Sequence, residues 1–308
     1  MAITLVEAAK AASGDVVRSA IIELYARSSD ILQFLPFESI GGNALKYNRE
    51  ETLPGVGFRG VNEGYTESTG IINPVTEVLS IVGGDLDVDK FILDTMGMSR
   101  RSTEEAMKIK ALAGRWTLSF LKGDNTVDPR EMTGLQARIT GDQLISAGST
   151  ANGAALSLSK LDELIDLVDD PTHLIMNKTM KRRLTQAARN GSVGGYITYQ
   201  VDGFGRPITK YNDLPILIAD KDNLYADILP FTEAASSGTA TATSIYCVSM
   251  GSDGVSGIQN GGIDARDLGE LQTKPAMRTR VEWYAGMAIF KGRAAARLRH
   301  IGDLAVVA

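Results

Sequence analysis

Cysteine is nearly missing from this chain: Cys247 stands alone among 308 residues, which excludes an internal disulfide and a cysteine-built metal cluster. Histidine is almost as scarce. His173 and His300 lie far apart with no partner pattern around either, so neither a serine nor a cysteine triad can be assembled. No apolar run approaches the roughly 20 residues that a membrane-spanning helix requires. The opening MAITLVEAAKAASG has neither a basic leader nor a long apolar region, so membrane insertion and secretion are not expected and synthesis in the cytoplasm is. Positive charge is not in excess either. A formal net charge of -5 argues against coating nucleic acid by neutralising phosphates over the whole surface.

Glycine, in contrast, is plentiful: 32 residues, about a tenth of the chain against a usual share near 7%. Hydrophobic content of 44% and charged content of 22% suit a globular chain long enough to bury a core in two subdomains. The clearest helical pattern is STEEAMKIKALAGRWTLSFLKG. Ile109, Leu112, Trp116 and Phe120 recur at three- and four-residue spacing with Ala113 beside them, forming one apolar stripe. Ser102 and Glu105 read as a capping box at its start, and Gly123 as its stop.

The stretch before that helix is extended. ILQFLPF, Ile31 to Phe37, follows a short helical pattern (Asp15 as cap, then Val17, Ile21, Leu24 and Tyr25) and must lie on its own domain or on a neighbouring copy. Ala44 to Glu50 and Val75 to Val82 alternate as strands, with Val75, Leu79 and Ile81 on one side. Between them runs a tip with Pro54 and five glycines, longer than the 12 to 15 residues or so at which a structureless loop is usually functional or disordered. Val56, Phe58, Val61, Tyr65, Ile71 and Ile72 would be exposed there without a partner surface, which argues against plain disorder and for a contact between subunits. The alternative is a strand pair folded back on its own domain.

Asp85, Asp87 and Asp89 alternate with Leu86 and Val88 as a solvated strand face, since the glycine and glutamate of a calcium loop are not at the required spacing. Asp124, Asp128 and Glu131 in GDNTVDPREMTGL have no activating partner, and the segment suits turns. Residues 140–155 are small and flexible, a boundary. Beyond it a helix capped by Ser159 and Asp162 carries Leu161, Leu164, Ile165 and Val168; a strand runs from His173 to Met176; and Asn177 caps a basic helix ending at Asn190 and Gly191. Lys178, Lys181, Arg182, Arg183 and Arg189 on that helix could meet phosphate, or form a solvated face opposite Met180, Leu184 and Ala187. Short strands are expected at 196–201, 207–211 and 214–219. GFGR, lying between strands, is not a dinucleotide fingerprint. TEAASSGTATATS (232–244) and GSDGVSGIQNGGIDARDLG (251–269) read as loops around a strand that buries Cys247, and two strands close the chain at 276–287 and 294–301.

In this order the parts resemble the major capsid protein of tailed bacteriophages, with its Hong Kong-type phage capsid fold. The resemblance rests on the hairpin of residues 43–82, on FLKGDN followed by DPREMTGL, on LIMNKTMKRRL, on VDGFGRPITKYNDLPILIADKD, and on the terminal run from MGSDGVSGIQNGG to ARLRHI. It implies an α+β chain with an N-terminal arm (1–40), an extended β-hairpin loop (41–83), a spine helix (101–122), a peripheral domain (84–140 and 275–308) and an axial domain (141–274). It implies a structural protein rather than an enzyme, without catalytic, cofactor or metal residues, forming hexamers and pentamers of an icosahedral shell that encloses double-stranded DNA without sequence-specific binding. The shell protein of an encapsulin-type nanocompartment is the alternative, since it shares the fold. Expected partners are further copies of the chain, a portal protein, decoration proteins and a separate scaffolding protein, because the chain opens at the arm with no helical scaffolding segment ahead of it. The expected location is the virion, after synthesis in the bacterial host cytoplasm. Candidate intersubunit residues are Arg49, Glu50, Phe58, Arg59, Glu63, Tyr65 and Glu67. A lysine-to-asparagine cross-link of the kind some members form is not expected, since Lys46 is the extended loop's one lysine and lies near its base.

Overall fold

The computed structural model describes residues 3–4, 29–96, 99–189, 197–201, 207–236 and 238–307. The helical pattern at Asp15 to Tyr25, the stop at Asn190 and Gly191, and the turn containing GFGR fall outside them. In chain order come β1 (Ile3–Thr4), α1 (Asp30–Phe34), β2 (Pro36–Ser39), β3 (Ala44–Thr52), β4 (Ile71–Val78), β5 (Ser80–Asp89), α2 (Lys90–Met96) and the long α3 (Ser99–Lys122). Then follow α4 (Leu135–Arg138), a 3-10 turn (Gly141–Gln143), β6 (Leu144–Ser146), α5 (Leu158–Asp166), β7 (His173–Met176), α6 (Lys178–Ala187), β8 (Ile197–Val201), β9 (Pro207–Tyr211) and β10 (Leu214–Ile218). The last elements are β11 (Glu233–Ala234), β12 (Ala240–Val248), β13 (Val255–Gln259), β14 (Asp264–Glu270), β15 (Ala276–Ile289) and β16 (Ala295–Gly302).

Helix α3, about 36 Å long at 1.5 Å per residue, packs where its stripe directs. Ile109, Leu112, Ala113, Trp116 and Phe120 are all buried. Trp116 stacks on Phe120 with ring centroids 5.2 Å apart and meets Phe37 and Trp283 at 5.5 and 5.6 Å. The capping box is not used. Ser102 lies inside the helix, and Glu105 instead pairs with Arg101 at 3.2 Å and accepts from the Thr279 hydroxyl at 2.9 Å, so tertiary partners override the local start signal. At the other end the Gly123 amide closes on Ser119 at 2.9 Å, and its carbonyl accepts from Gly134 at 2.8 Å. A Cβ at Gly123 would stand 2.2 Å from the Met132 carbonyl oxygen, so only glycine fits this stop.

Two sheets flank the helix. In the first, β15 carries β5 along one edge, β13 and β14 along the other, and β2 with β1 beyond β13. The second runs β6-β16-β12-β7-β10-β9-β8, with β11 beside β12. Alternation buries both faces of its central strands. Tyr246, Val248, Ile175 and Leu217 point toward α1 and α3, while Ile245, Cys247, Leu174, Met176 and Ile216 pack under α5 and α6. Ile31, Leu32, Leu35 and Phe37 belong to the first of these cores, so ILQFLPF lies on its own chain.

Several expectations need correction. Sheet membership does not change at residue 275: β13 and β14, expected with the inserted domain, pair with β15, and β16, expected among the peripheral strands, lies between β6 and β12. The glycine-rich loop expected at 251–269 holds two strands. Gly257 is part of the reason, since a Cβ there would stand 2.3 Å from the Phe37 ring. The surface loop expected at 232–244 instead contributes β11 and the start of β12, where Ala242, Thr243 and Ser244 are fully buried. Residues 144–146 of the expected flexible boundary form β6, docked parallel to β16. The strand expected at 75–82 breaks at Leu79 and its alternation changes phase, turning Ile81 to solvent. The N-cap of α5 is Ser157, two residues before the expected Ser159, and Asp162 instead accepts from the Tyr211 hydroxyl at 2.9 Å.

Candidate assembly surface

Strands β3 and β4 form a two-stranded sheet that, among the described residues, pairs with no other strand. Their register runs from Ala44 opposite Val78 to Thr52 opposite Ile71, with a slip between Glu50 and Thr52. Residues 53–70 form the tip. Polar links order it from within: the Glu63 carboxylate accepts from the Gly60 amide at 2.8 Å, Arg59 donates to the Glu63 carbonyl at 3.2 Å, and Ser68 donates to the Gly55 carbonyl at 2.9 Å. The Arg59 guanidinium lies over the Tyr65 ring, 5.3 Å from its centroid. Asn62 takes the left-handed backbone (φ 67°) that asparagine tolerates in turns. The apolar side chains gain nothing from this order. Val56 is 96% exposed and Phe58 fully so, with Leu53, Val61, Tyr65, Ile71 and Ile72 also exposed.

The hairpin base is held differently. Glu77, though buried, forms a bidentate pair with Arg138, one arm of which measures 2.7 Å, and the Arg138 Nε donates to the Thr133 carbonyl at 2.7 Å. The Tyr47 hydroxyl donates to the Ile289 carbonyl at 2.9 Å and reaches Glu77 at 3.4 Å, and its ring sits 4.8 Å from that of Phe290. Sequence reasoning passed over these three residues. A signal was present: Glu77 shares the inward series with Val75 and Leu79, where a charge needs a partner.

Of the candidate contact residues, Phe58, Arg59, Glu63, Tyr65 and Glu67 come together on the exposed tip. Arg49 and Glu50 lie apart from them on β3, opposite Asn73 and Ile72. Lys46 is exposed, opposite Thr76 near the base.

Several other charged groups are engaged within the fold. Asp85 and Asp87 are paired across the sheet, Asp85 to Arg280 at 2.6 Å and Asp87 to Arg278 and Lys274, each at 2.6 Å. Hydrogen bonds from Arg278 and Lys274 hold the Asp87 carboxyl far below the usual carboxylate range. Asp124 accepts from the Thr126 amide at 2.9 Å, Asp128 from the Arg130 amide at 3.0 Å, and Glu131 pairs with Arg115 at 3.2 Å. On α6, Lys178 pairs with Asp220 and Arg183 with Asp303, opposite buried Met180 and Leu184. Burial pushes the Cys247 thiol up to about 12 and the His173 imidazole down to about 4. Among the described residues, no cluster of three histidine, cysteine or carboxylate side chains could hold a metal, and no helix is long and apolar enough to cross a membrane.

Known proteins share this architecture. Residues 13–159 match the family described as Major capsid protein GP7. No curated protein sequence matches. Among solved structures, the SrpI encapsulin of Synechococcus elongatus PCC 7942 superposes with a TM-score of 0.60 at 19% identity, covering 90% of this chain and 89% of that one. The capsid of the native GTA particle gives 0.61 at 15% identity, covering 89% and 91%. A protein of Mycobacterium phage Ogopogo gives 0.62 at 16% identity over the same shares. The chain has the Hong Kong-type phage capsid fold, and its likeness to tailed-phage major capsid proteins holds.

Proposed function

We propose that this chain, a protein of the capsid fold, assembles through hexamers and pentamers into a closed icosahedral shell around double-stranded DNA. One observation carries the reading. The hairpin exposes Leu53, Val56, Phe58, Val61, Ile71 and Ile72 along an arm whose tip is ordered by hydrogen bonds within itself. Burying those six side chains against a neighbour is worth on the order of 10 kcal/mol before ordering and association costs. A shell repeats such a contact many times, and arms that overlap neighbours supply area that a compact subunit does not have. Arg49, Glu50, Arg59, Glu63, Tyr65 and Glu67 then surround the apolar contact and set its register more than its strength. The first sheet with α3 serves as the peripheral part, and the second with α5 and α6 as the axial part. The net charge of -5 suits a container that holds its genome by confinement. A separate scaffolding protein, a portal protein and decoration proteins complete the particle, which places the protein in the virion after synthesis in the host cytoplasm.

The second reading is a nanocompartment shell, favoured by the encapsulin superposition. The match to Major capsid protein GP7 favours the phage reading. Purified assemblies decide between them: shells formed with a scaffolding protein and filled with DNA support a virus head, and shells that retain a cargo enzyme support a nanocompartment. Deleting residues 56–72 leaves the subunit folded and unable to close shells, and normal particles from that variant in electron micrographs would overturn the role of the hairpin.

A further inference from the structure

We propose that Glu77, Arg138 and Tyr47 form a latch that sets the angle at which the hairpin leaves the body. The hairpin joins the body by two thin connections. One is Ile40 to Asn43, containing Gly41 and Gly42; no atom stands within 4 Å of a Cβ on either glycine, and Gly42 has the positive φ of 123° that other residues avoid. The other is Leu79, the break between β4 and β5, whose amide donates to the Asn43 carbonyl at 2.9 Å. This geometry is a hinge: two backbone crossings at one level, with the Asn260 side chain donating to the Gly42 carbonyl at 2.9 Å on that same level, leave rotation about it as the easiest motion.

The latch opposes it. Glu77 and Tyr47 sit about three residues, near 10 Å, beyond the hinge, and the far end of the strands lies roughly 30 Å away. Each ångström of slack at the latch therefore moves the far end of the strands by about 3 Å, and the tip beyond it by at least as much. Glu77 and Tyr47 belong to the hairpin and Arg138 and Ile289 to the body, so the Glu77–Arg138 pair and the Tyr47–Ile289 bond both cross the hinge, while the Thr133 carbonyl holds Arg138 in place on the body side. A bidentate guanidinium-carboxylate pair fixes direction as well as distance. Swinging the hairpin would pull the Glu77 carboxylate off the Arg138 guanidinium and break both arms of the pair at once. The cluster thus acts as a positioning device, stiff while closed.

The consequence rests on the hairpin being the arm that joins subunits: a fixed angle aims each arm at one location on its neighbour, and a free angle lets subunits meet at several curvatures. The test uses unassembled subunits with spin labels at Thr66→Cys and Val127→Cys, the buried Cys247 staying unlabelled. The distance distribution between labels is narrow with the latch intact and broadens by about 3 Å or more in Glu77→Gln. Tyr47→Phe, which keeps the ring on Phe290 and loses only the hydroxyl bonds, broadens it less and serves if Glu77→Gln does not fold. Unchanged widths in a folded variant, judged by unaltered amide exchange in α3 and β15, would overturn the latch. Particle size is read separately. Latch variants give a wider range of diameters; a single unchanged diameter despite broadened label distances would remove the link to curvature and leave the latch itself standing.

Discussion

Replacing Val56 and Phe58 together by serine tests the hairpin tip without disturbing the subunit. Both side chains are already in water in the free chain, at 96% and full exposure, so their loss removes no contact within the subunit. Folding stability in a denaturant titration should stay within about 0.5 kcal/mol of the unmodified protein. If the two side chains are buried between subunits, each contributes about 1.5 to 3 kcal/mol there, and the double variant loses about 3 to 6 kcal/mol per contact. At 1.4 kcal/mol per tenfold, that weakens each contact by about 10² to 10⁴. The assay is the protein concentration at which large particles first appear in light scattering and sedimentation. A threshold that does not move would mean that the tip stays in solvent, and a large fall in subunit stability would mean that it packs on its own chain. Either result refutes the reasoning.

Further predictions concern the body. Gly257→Ala drives a methyl group into the Phe37 ring, 2.3 Å from the Cβ position, and should cost about 1 to 3 kcal/mol in denaturant unfolding, since α1 and β2 must shift to relieve it. Asp87 has a depressed folded pKa, so its contribution is present above the usual carboxylate range and lost as pH falls through the folded value. Amide exchange along β5 and β15, normalised for intrinsic rate, should therefore quicken on acidification, and Asp87→Asn should remove that dependence. Cys247, its thiol pushed up to about 12 by burial, should resist a disulfide reagent at pH 8 in the folded protein and react once after denaturation; rapid native reaction would contradict its place in the core.

Local signals carried part of this architecture. The stripe from Ile109 to Phe120 located α3 because one helix face must be apolar wherever it packs, and glycine chemistry gave its end at Gly123. Its beginning was hidden, because Arg101 and Glu105 answer to Thr279 and Asp267 far along the chain. The hairpin was legible from the length of its tip and the apolar side chains stranded there. The pairing of β13, β14 and β16 was not: strand partners are chosen by contacts remote in sequence, and small residues such as Ala242, Thr243, Ser244 and Gly257 look like loop until a close-packed neighbour explains them. The latch divides in the same way. Glu77 was visible as a charge in an inward series, and Arg138, 61 residues later, had no local mark as its partner.

The central claim is that subunits of this chain close a shell by laying the hairpin on one another. Cryo-electron microscopy of the purified assembly tests it most directly. The account predicts closed icosahedral particles in which density for residues 53–70 lies against an adjacent subunit and covers Val56 and Phe58. Open tubes, isolated rings, or closed particles with that tip projecting into solvent would contradict it.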